Sequence, residues 1–230
     1  HDVEVIALTS EKFLTFKISN LKFVDSYQLM NASLDKLASV LKSDGTHNFV
    51  HTSRYLSQYG DIIYRKGVYP YSFMTGPDKF ELAELPHKQC FYDELNEREI
   101  SQSDYELAKK AWDVFECKTM KDFHDKYLLL DVLILADCFE NFRELIYREH
   151  RIDPVHYLTI PGLAWDLALK YTGISLELVC DADIFLTFEN GIRGGISGVI
   201  EREATANNQF VGFDPAEPTS YLAYFDANNL

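Results

Sequence analysis

The sequence predicts a mixed α/β protein in which short strands come first and helices dominate the middle of the chain. Three segments near the start, residues 3–8, 13–18 and 21–24, are rich in Phe, Val and Ile and are separated by polar turns, as strands are. Several later segments repeat apolar residues at intervals of three or four positions, which is typical of helices. With 47% hydrophobic and 14% aromatic residues, the 230-residue chain has the composition of a well-packed globular protein.

The predicted helices begin at capping residues. Ser33 precedes a helix whose apolar positions share one face, and Ser101 opens a second helix that ends near residue 115. Thr119 opens a much longer helix that runs to about residue 150. Two further helices, near residues 162–172 and 183–190, are each followed by a glycine, the residue that most often ends a helix.

Composition and cysteine spacing narrow the class of protein. No apolar run approaches the ~18–20 residues that cross a bilayer, so we expect no membrane partner. The four cysteines form no C-x-x-C pair, which favours reduced thiols in an intracellular protein over a zinc site or a disulfide framework. The net charge of −14 argues against a simple nucleic-acid-binding module. It leaves open a catalytic core that collects acidic metal ligands.

The last segment of the chain is the most informative. A polar linker, residues 207–219, leads to an apolar and aromatic run that ends at Asp226, which suits a strand buried on both faces. A carboxylate at the end of such a strand would face a cleft and could bind a metal. The alternative is an Asp that starts a turn after a surface strand. Because the chain begins with His1 and stops soon after this strand, we expect it to be an internal piece of a larger protein.

The long helix contains a second candidate site. Tyr127 and Asp131 are four residues apart and therefore share one helical face. The helix is apolar on nearly all sides around Asp131, which predicts that this acid is buried and needs a cation, a basic partner or a raised pKa. A divalent metal beside a tyrosine that orients water would meet this requirement and support hydrolysis. The alternative is a structural ion pair or a hydrogen-bonded core Asp.

A third candidate is the turn Arg193-Gly194-Gly195, at a predicted junction between helix and strand. Glycines there allow a close approach of the backbone, and an adjacent Arg suits phosphate. The alternative is a bulge or tight turn with a solvated Arg.

The order of these three signals resembles that of family B DNA polymerases, specifically the protein-primed branch of viruses and of Maverick/Polinton-type mobile elements. That family combines a Tyr-x-x-x-Asp exonuclease motif, a Gly-Gly turn between its exonuclease and polymerase domains, and an Asp-containing first polymerase motif. Four further segments are similar to the mobile-element members, namely residues 25–26 together with 34–38, residues 66–71, residues 91–95 and residues 161–166. The partial matches at Asp2/Glu4 and at residues 20–25 are interpreted instead as a ragged end and as a strand and turn.

The resemblance implies a role for each candidate residue. Asp131 would be a metal-binding acid of a 3′–5′ exonuclease, and Tyr127 would orient the attacking water. Asp226 would bind the Mg²⁺ ions of a two-metal polymerase site. The remaining candidates would contact DNA or nucleotide: Arg193, Gly194 and Gly195 the template strand, and Asn229 and Leu230 the incoming nucleotide. The implied partners are a DNA template–primer, deoxynucleoside triphosphates and, further, a terminal protein primer.

The resemblance also implies a domain organisation. Residues 1–180 would be the C-terminal part of an RNase-H-like exonuclease domain, residues 181–218 the junction with the polymerase, and residues 219–230 the start of the palm. Both active sites would be incomplete, so the piece alone should be inactive. Its location would be intracellular, in the nucleus or at a viral replication site. Two alternatives stay open, a stand-alone 3′–5′ exonuclease and a non-catalytic acidic interaction module.

Overall fold

The computed structural model describes residues 3–7, 9, 13–192 and 201–223. Within them it contains one three-stranded sheet and six α-helices, joined by short 3₁₀ helices. The predicted mixed α/β class is therefore confirmed. The RNase-H-like architecture stays a prediction.

The sheet is an antiparallel meander in the order β1-β2-β3, formed by Val3–Ala7, Phe13–Ile18 and Leu21–Val24. Its strands lie where the sequence predicts them, and Leu8, the last residue of the first predicted strand, lies outside the described residues. Phe16 and Phe23 pair across β2 and β3, and their rings stack with centroids 4.5 Å apart. Such a cross-strand aromatic pair stabilises the register of the hairpin.

The helices agree with the sequence prediction in five cases of six. The α-helices described by the structure are α1 (Leu34–Asp44), α2 (Val50–Leu56), α3 (Gln102–Val114), α4 (Met120–His150), α5 (Ile160–Thr172) and α6 (Ala182–Gly191). The sequence did not predict α2, whose N-cap, Phe49, provides no side-chain hydrogen bond. Gly173 ends α5 in the left-handed conformation, as expected for a glycine after a helix.

Helix α4 is the central element of the core. A capping box between Thr119 and Asp122 fixes its first turn, and its buried face includes Phe123, Leu130 and Ile134. This face packs against α1 and α2 in a single hydrophobic cluster. Despite the length of α4, no helix among the described residues is apolar enough to cross a membrane.

The chain divides into two compact units, His1–Ser175 and Leu176–Leu230. The first contains the sheet and α1 to α5, and the second contains α6 and a hydrogen-bonded loop at residues 207–220. Residues 221–223, at the start of the predicted final strand, belong to no strand in the described structure. The remainder of that predicted strand lies outside the described residues, and the domain boundaries at 180 and 218 stay predictions.

Candidate functional site

Tyr127 and Asp131 lie one turn apart on α4, so the helix places their side chains on the same side, as the spacing predicts. Tyr127 is only 7% exposed. Asp131 is half-buried, and its Oδ1 atom is fully buried with no hydrogen-bond partner in the described part of the chain. The expectation that α4 is buried on nearly all sides around Asp131 is wrong for one face, because Leu128 and Val132 are exposed.

Two tyrosines from the loop before α3 hold Tyr127 in place. Tyr71 and Tyr127 are joined by a hydrogen bond between their hydroxyl oxygens, 2.6 Å apart. Tyr69 stacks on the Tyr127 ring with centroids 4.8 Å apart, and its own hydroxyl lies 2.8 Å from Nδ1 of His124. Gly67 packs so closely on the other edge of Tyr127 that a Cβ atom there would lie 2.9 Å from Cδ2 of the ring. Tyr127 thus has little freedom to move.

Burial raises the pKa values of both Tyr127 and Asp131. Desolvation raises the pKa of the Asp131 carboxyl, while the Tyr127 hydroxyl and the positive charge of Lys66 oppose this increase. Desolvation also raises the pKa of Tyr127 far above its usual range, with further contributions from the Tyr71 hydrogen bond and from Asp131. Tyr127 therefore stays protonated near neutral pH, where its hydroxyl can orient water but cannot act as a base.

A cavity of about 670 Å³ opens beside Tyr127. Its volume is within the range of ligand pockets. Its lining includes three cationic side chains (Arg65, Lys66 and Arg98), three acidic ones (Asp35, Asp93 and Asp104) and five aromatic ones (Tyr69, Tyr71, Phe91, Tyr92 and Tyr127). The aromatic faces suit stacking of a nucleotide base, and the neighbouring cations suit its phosphate.

The carboxylate of Asp131 suits Mg²⁺, because this ion prefers carboxylate oxygens as ligands. The buried Oδ1 atom of Asp131 has no hydrogen-bond partner in the described part of the chain, although the Tyr127 hydroxyl is near enough to lower the pKa of the carboxyl, and a cation would compensate the cost of burial further. The residues that the structure describes contain no group of three or more His, Cys, Asp or Glu side chains able to hold a metal ion together.

Six of the predicted site residues lie outside the described residues. They are Arg193, Gly194, Gly195, Asp226, Asn229 and Leu230. Their roles stay predictions.

Sequence reasoning missed Lys66 and Tyr71 as members of the site. The segment 66–71 resembles the mobile-element polymerases in sequence, but it is far from Tyr127 along the chain, and no local pattern indicates the contact. Sequence reasoning also missed Asp137, which is only 2% exposed. Its carboxylate accepts hydrogen bonds from the backbone N–H groups of His51 (2.7 Å) and Thr52 (2.9 Å). Asp137 thereby caps the N-terminus of α2 from another helix.

Comparison with known proteins adds an independent line of evidence. Residues 6–204 match the family model described as DNA polymerase type B, organellar and viral. A protein of Podospora anserina named "Probable DNA polymerase" is 27% identical over 184 residues, which make up 79% of this chain and 13% of that relative. No solved structure matches the chain significantly. Since the family model covers most of the sequence, the chain belongs to the organellar and viral type B DNA polymerases.

Proposed function

We propose that the protein containing this chain is a DNA-directed DNA polymerase that extends a primer with deoxynucleoside triphosphates and removes mispaired ends through a 3′–5′ exonuclease. Family membership supports the polymerase activity. Because the chain spans only 13% of the length of its relative, it would contribute part of each active site.

The observation that carries the exonuclease part is the arrangement of Tyr127 and Asp131. A half-buried carboxylate with one unpartnered oxygen lies beside a protonated tyrosine whose position is fixed by Tyr71. A purely structural Asp would be expected to have both oxygens satisfied, as Asp137 has. The unpartnered oxygen of Asp131 suits a carboxylate that binds a cation.

Mg²⁺, when bound, would make the attacking water more acidic and stabilise negative charge at the phosphate. The protein's own residues would do the positioning. Asp131 would provide a carboxylate oxygen, Tyr127 would orient water through its hydroxyl, and Lys66 would offset negative charge from DNA. The neighbouring cavity, with its aromatic and cationic lining, is large enough for a terminal nucleotide.

The polymerase part of the proposal rests on family membership and on the sequence. Asp226 would bind Mg²⁺ at the polymerase site, with Asn229 and Leu230 next to the incoming nucleotide. The turn Arg193-Gly194-Gly195 would contact the template strand. A terminal protein would serve as primer, and the replicated DNA would be that of a virus or mobile element, in the nucleus or at a viral replication site.

The test uses the full-length gene product on a primed template with a mismatched 3′ end. Asp131→Asn should abolish mismatch removal and leave extension of a matched primer intact, whereas Asp226→Asn should do the reverse. Asp125→Asn is the matched control, because Asp125 lies on the same helix but is exposed and forms a surface ion pair with Lys121. It should change neither activity.

The outcomes separate the alternatives. Mismatch removal that survives Asp131→Asn would overturn the exonuclease assignment. Exonuclease activity without any primer extension would favour a stand-alone nuclease. The purified 230-residue chain should show neither activity, and robust turnover by it would contradict the proposal that both sites are incomplete.

A further inference from the structure

The loop at residues 207–220 is closed on itself by one side chain. The two N–H groups of Asn207 Nδ2 are shared among three backbone carbonyl oxygens, those of Asp214 (3.0 Å), Glu217 (3.1 Å) and Pro218 (3.2 Å). Oδ1 of the same side chain accepts a hydrogen bond from the backbone N–H of Asp214 at 2.8 Å. Both ends of this amide are therefore used to hold the far side of the loop.

The two ends of the loop are tied together at Ser220. The backbone N–H of Asn207 donates to Oγ of Ser220 at 2.9 Å, and the backbone N–H of Ser220 donates to the carbonyl oxygen of Asn207 at 2.8 Å. The neighbouring Asn208 adds a third bond, from its Nδ2 to the Ser220 carbonyl oxygen at 3.0 Å. Asn208 is 5% exposed, although most of the residues around it are exposed. Ser220 is thus fixed relative to Asn207.

The hydrogen bonds that tie Asn207 and Asn208 to Ser220 lie shortly before the predicted polymerase acid, Asp226. Ser220 precedes Asp226 by six residues, which span at most ~20 Å when fully extended. An isolated loop with exposed ends would leave the start of that segment free. The side-chain amide of Asn207 instead sets where the segment starts. An ordinary surface loop needs no such concentration of bonds on one side chain, since water can satisfy its backbone groups.

We propose that Asn207 is a positioning residue for polymerase catalysis, which fixes the start of the segment that carries Asp226. The inference rests on the proposed role of Asp226. It assigns Asn207 no contact with DNA or nucleotide. Its effect would pass through the tie to Ser220, and a small displacement of a metal-binding acid is enough to lower a catalytic rate substantially.

The test replaces Asn207 with Asp in the full-length enzyme. This isosteric change keeps the acceptor for Asp214 but puts an oxygen against three carbonyl oxygens. Gln209→Glu is the matched control, because it makes the same amide-to-acid change two residues away on an exposed side chain. Ser220→Ala is a milder second variant that removes one hydrogen bond of the tie, and it carries the test if Asn207→Asp does not fold.

The readouts are the kcat and KM of single-nucleotide addition and the exonuclease rate of the same preparation. Asn207→Asp should lower kcat by about tenfold to a hundredfold with little change in KM, and should leave the exonuclease rate unchanged. Ser220→Ala should lower kcat less, and Gln209→Glu should behave as wild type. Hydrogen exchange at the backbone N–H groups of Asp214 and Ser220 should become faster in Asn207→Asp.

Two results would overturn the inference. One is a kcat for Asn207→Asp equal to that of Gln209→Glu despite faster hydrogen exchange. The other is an equal loss of both activities together with a lower melting temperature, which would indicate a general structural role. Full polymerase activity in Asp226→Asn would instead overturn the proposed role of Asp226, so the two failures can be distinguished.

Discussion

Removal of the Asp137 carboxylate should destabilise the first unit strongly. The carboxylate accepts two hydrogen bonds from N–H groups in the first turn of α2, a helix whose own N-cap residue provides none. Asp137→Ala would leave a buried donor (Thr52 N–H) and a half-buried donor (His51 N–H) unpaired, at about 1–3 kcal/mol each. It would also remove a favourable interaction with the helix N-terminus of roughly 0.3–1 kcal/mol. Relief from burying a charge offsets part of this loss, so we expect a net cost of about 3 kcal/mol.

The assay is urea unfolding of the 230-residue chain, followed by tryptophan fluorescence. Both tryptophans, Trp112 and Trp165, belong to the first unit, so the signal reports on the unit that contains Asp137. With a denaturant dependence of about 2 kcal/mol per M, the transition midpoint should fall by about 1.5 M. Asp137→Asn keeps one acceptor and should lose about half as much.

Asp125→Ala is the control for this experiment, because it removes an exposed carboxylate from the same helix. It should leave the midpoint nearly unchanged. A midpoint for Asp137→Ala within about 0.3 M of this control would refute the reasoning, since it would mean that water or another side chain caps α2 equally well.

Two further predictions concern the candidate site and the end of α4. Gly67→Ala should push the Tyr127 ring aside and lower exonuclease activity of the full-length enzyme by about tenfold or more, because the new Cβ would lie 2.9 Å from Cδ2 of that ring. Gly162→Ala, whose Cβ would meet only an ordinary contact at 3.8 Å, is the control, and equal exonuclease rates in the two variants would contradict the prediction. The bidentate hydrogen bonds from Arg143 lower the pKa of Asp153 to about 2. The stabilisation should therefore be complete above the ordinary carboxyl pKa of about 3.9 and disappear as the pH falls towards 2. Asp153→Asn should be less stable than wild type at neutral pH, and this difference should shrink over that window in urea midpoints measured at each pH; a constant difference would argue against the pair.

Much of the helical framework could be predicted from the sequence because its signals are local. Ser33, Ser101 and Thr119 each cap a helix within three residues of their own position, so short sequence patterns reveal them. Helix α2 could not be predicted this way, because its cap comes from Asp137, which is 85 residues away from Thr52 along the chain. Tertiary contacts of this kind leave no periodic pattern.

The candidate site likewise has one part that the sequence predicts and another that it does not. The spacing of Tyr127 and Asp131 on one helix predicts that they share a face, and the structure places them one turn apart. The contributions of Lys66 and Tyr71 depend on how an irregular loop folds back against α4, which no local pattern determines. The burial of Asp131 was overestimated because apolar residues on a helix do not reveal which of them the rest of the molecule covers.

Helix α4 is held at three levels along its length, by the capping box at Thr119, by Asp137 near its middle and by the ion pair of Arg143 with Asp153. Asp131 lies six residues from Asp137, about 9 Å along the axis, and so cannot shift far without breaking buried bonds. In the proposed exonuclease, any adjustment to DNA ends of different sequence or conformation must then come from the cavity beside Tyr127, whose lining does not include Asp131. The lining of this cavity includes Tyr71, the first residue of a 3₁₀ helix (Tyr71–Phe73), which is 62% exposed although its hydroxyl is bonded to that of Tyr127. Tolerance of substrate variation would accordingly be encoded in the 65–72 loop, and engineering of mismatch preference should begin there.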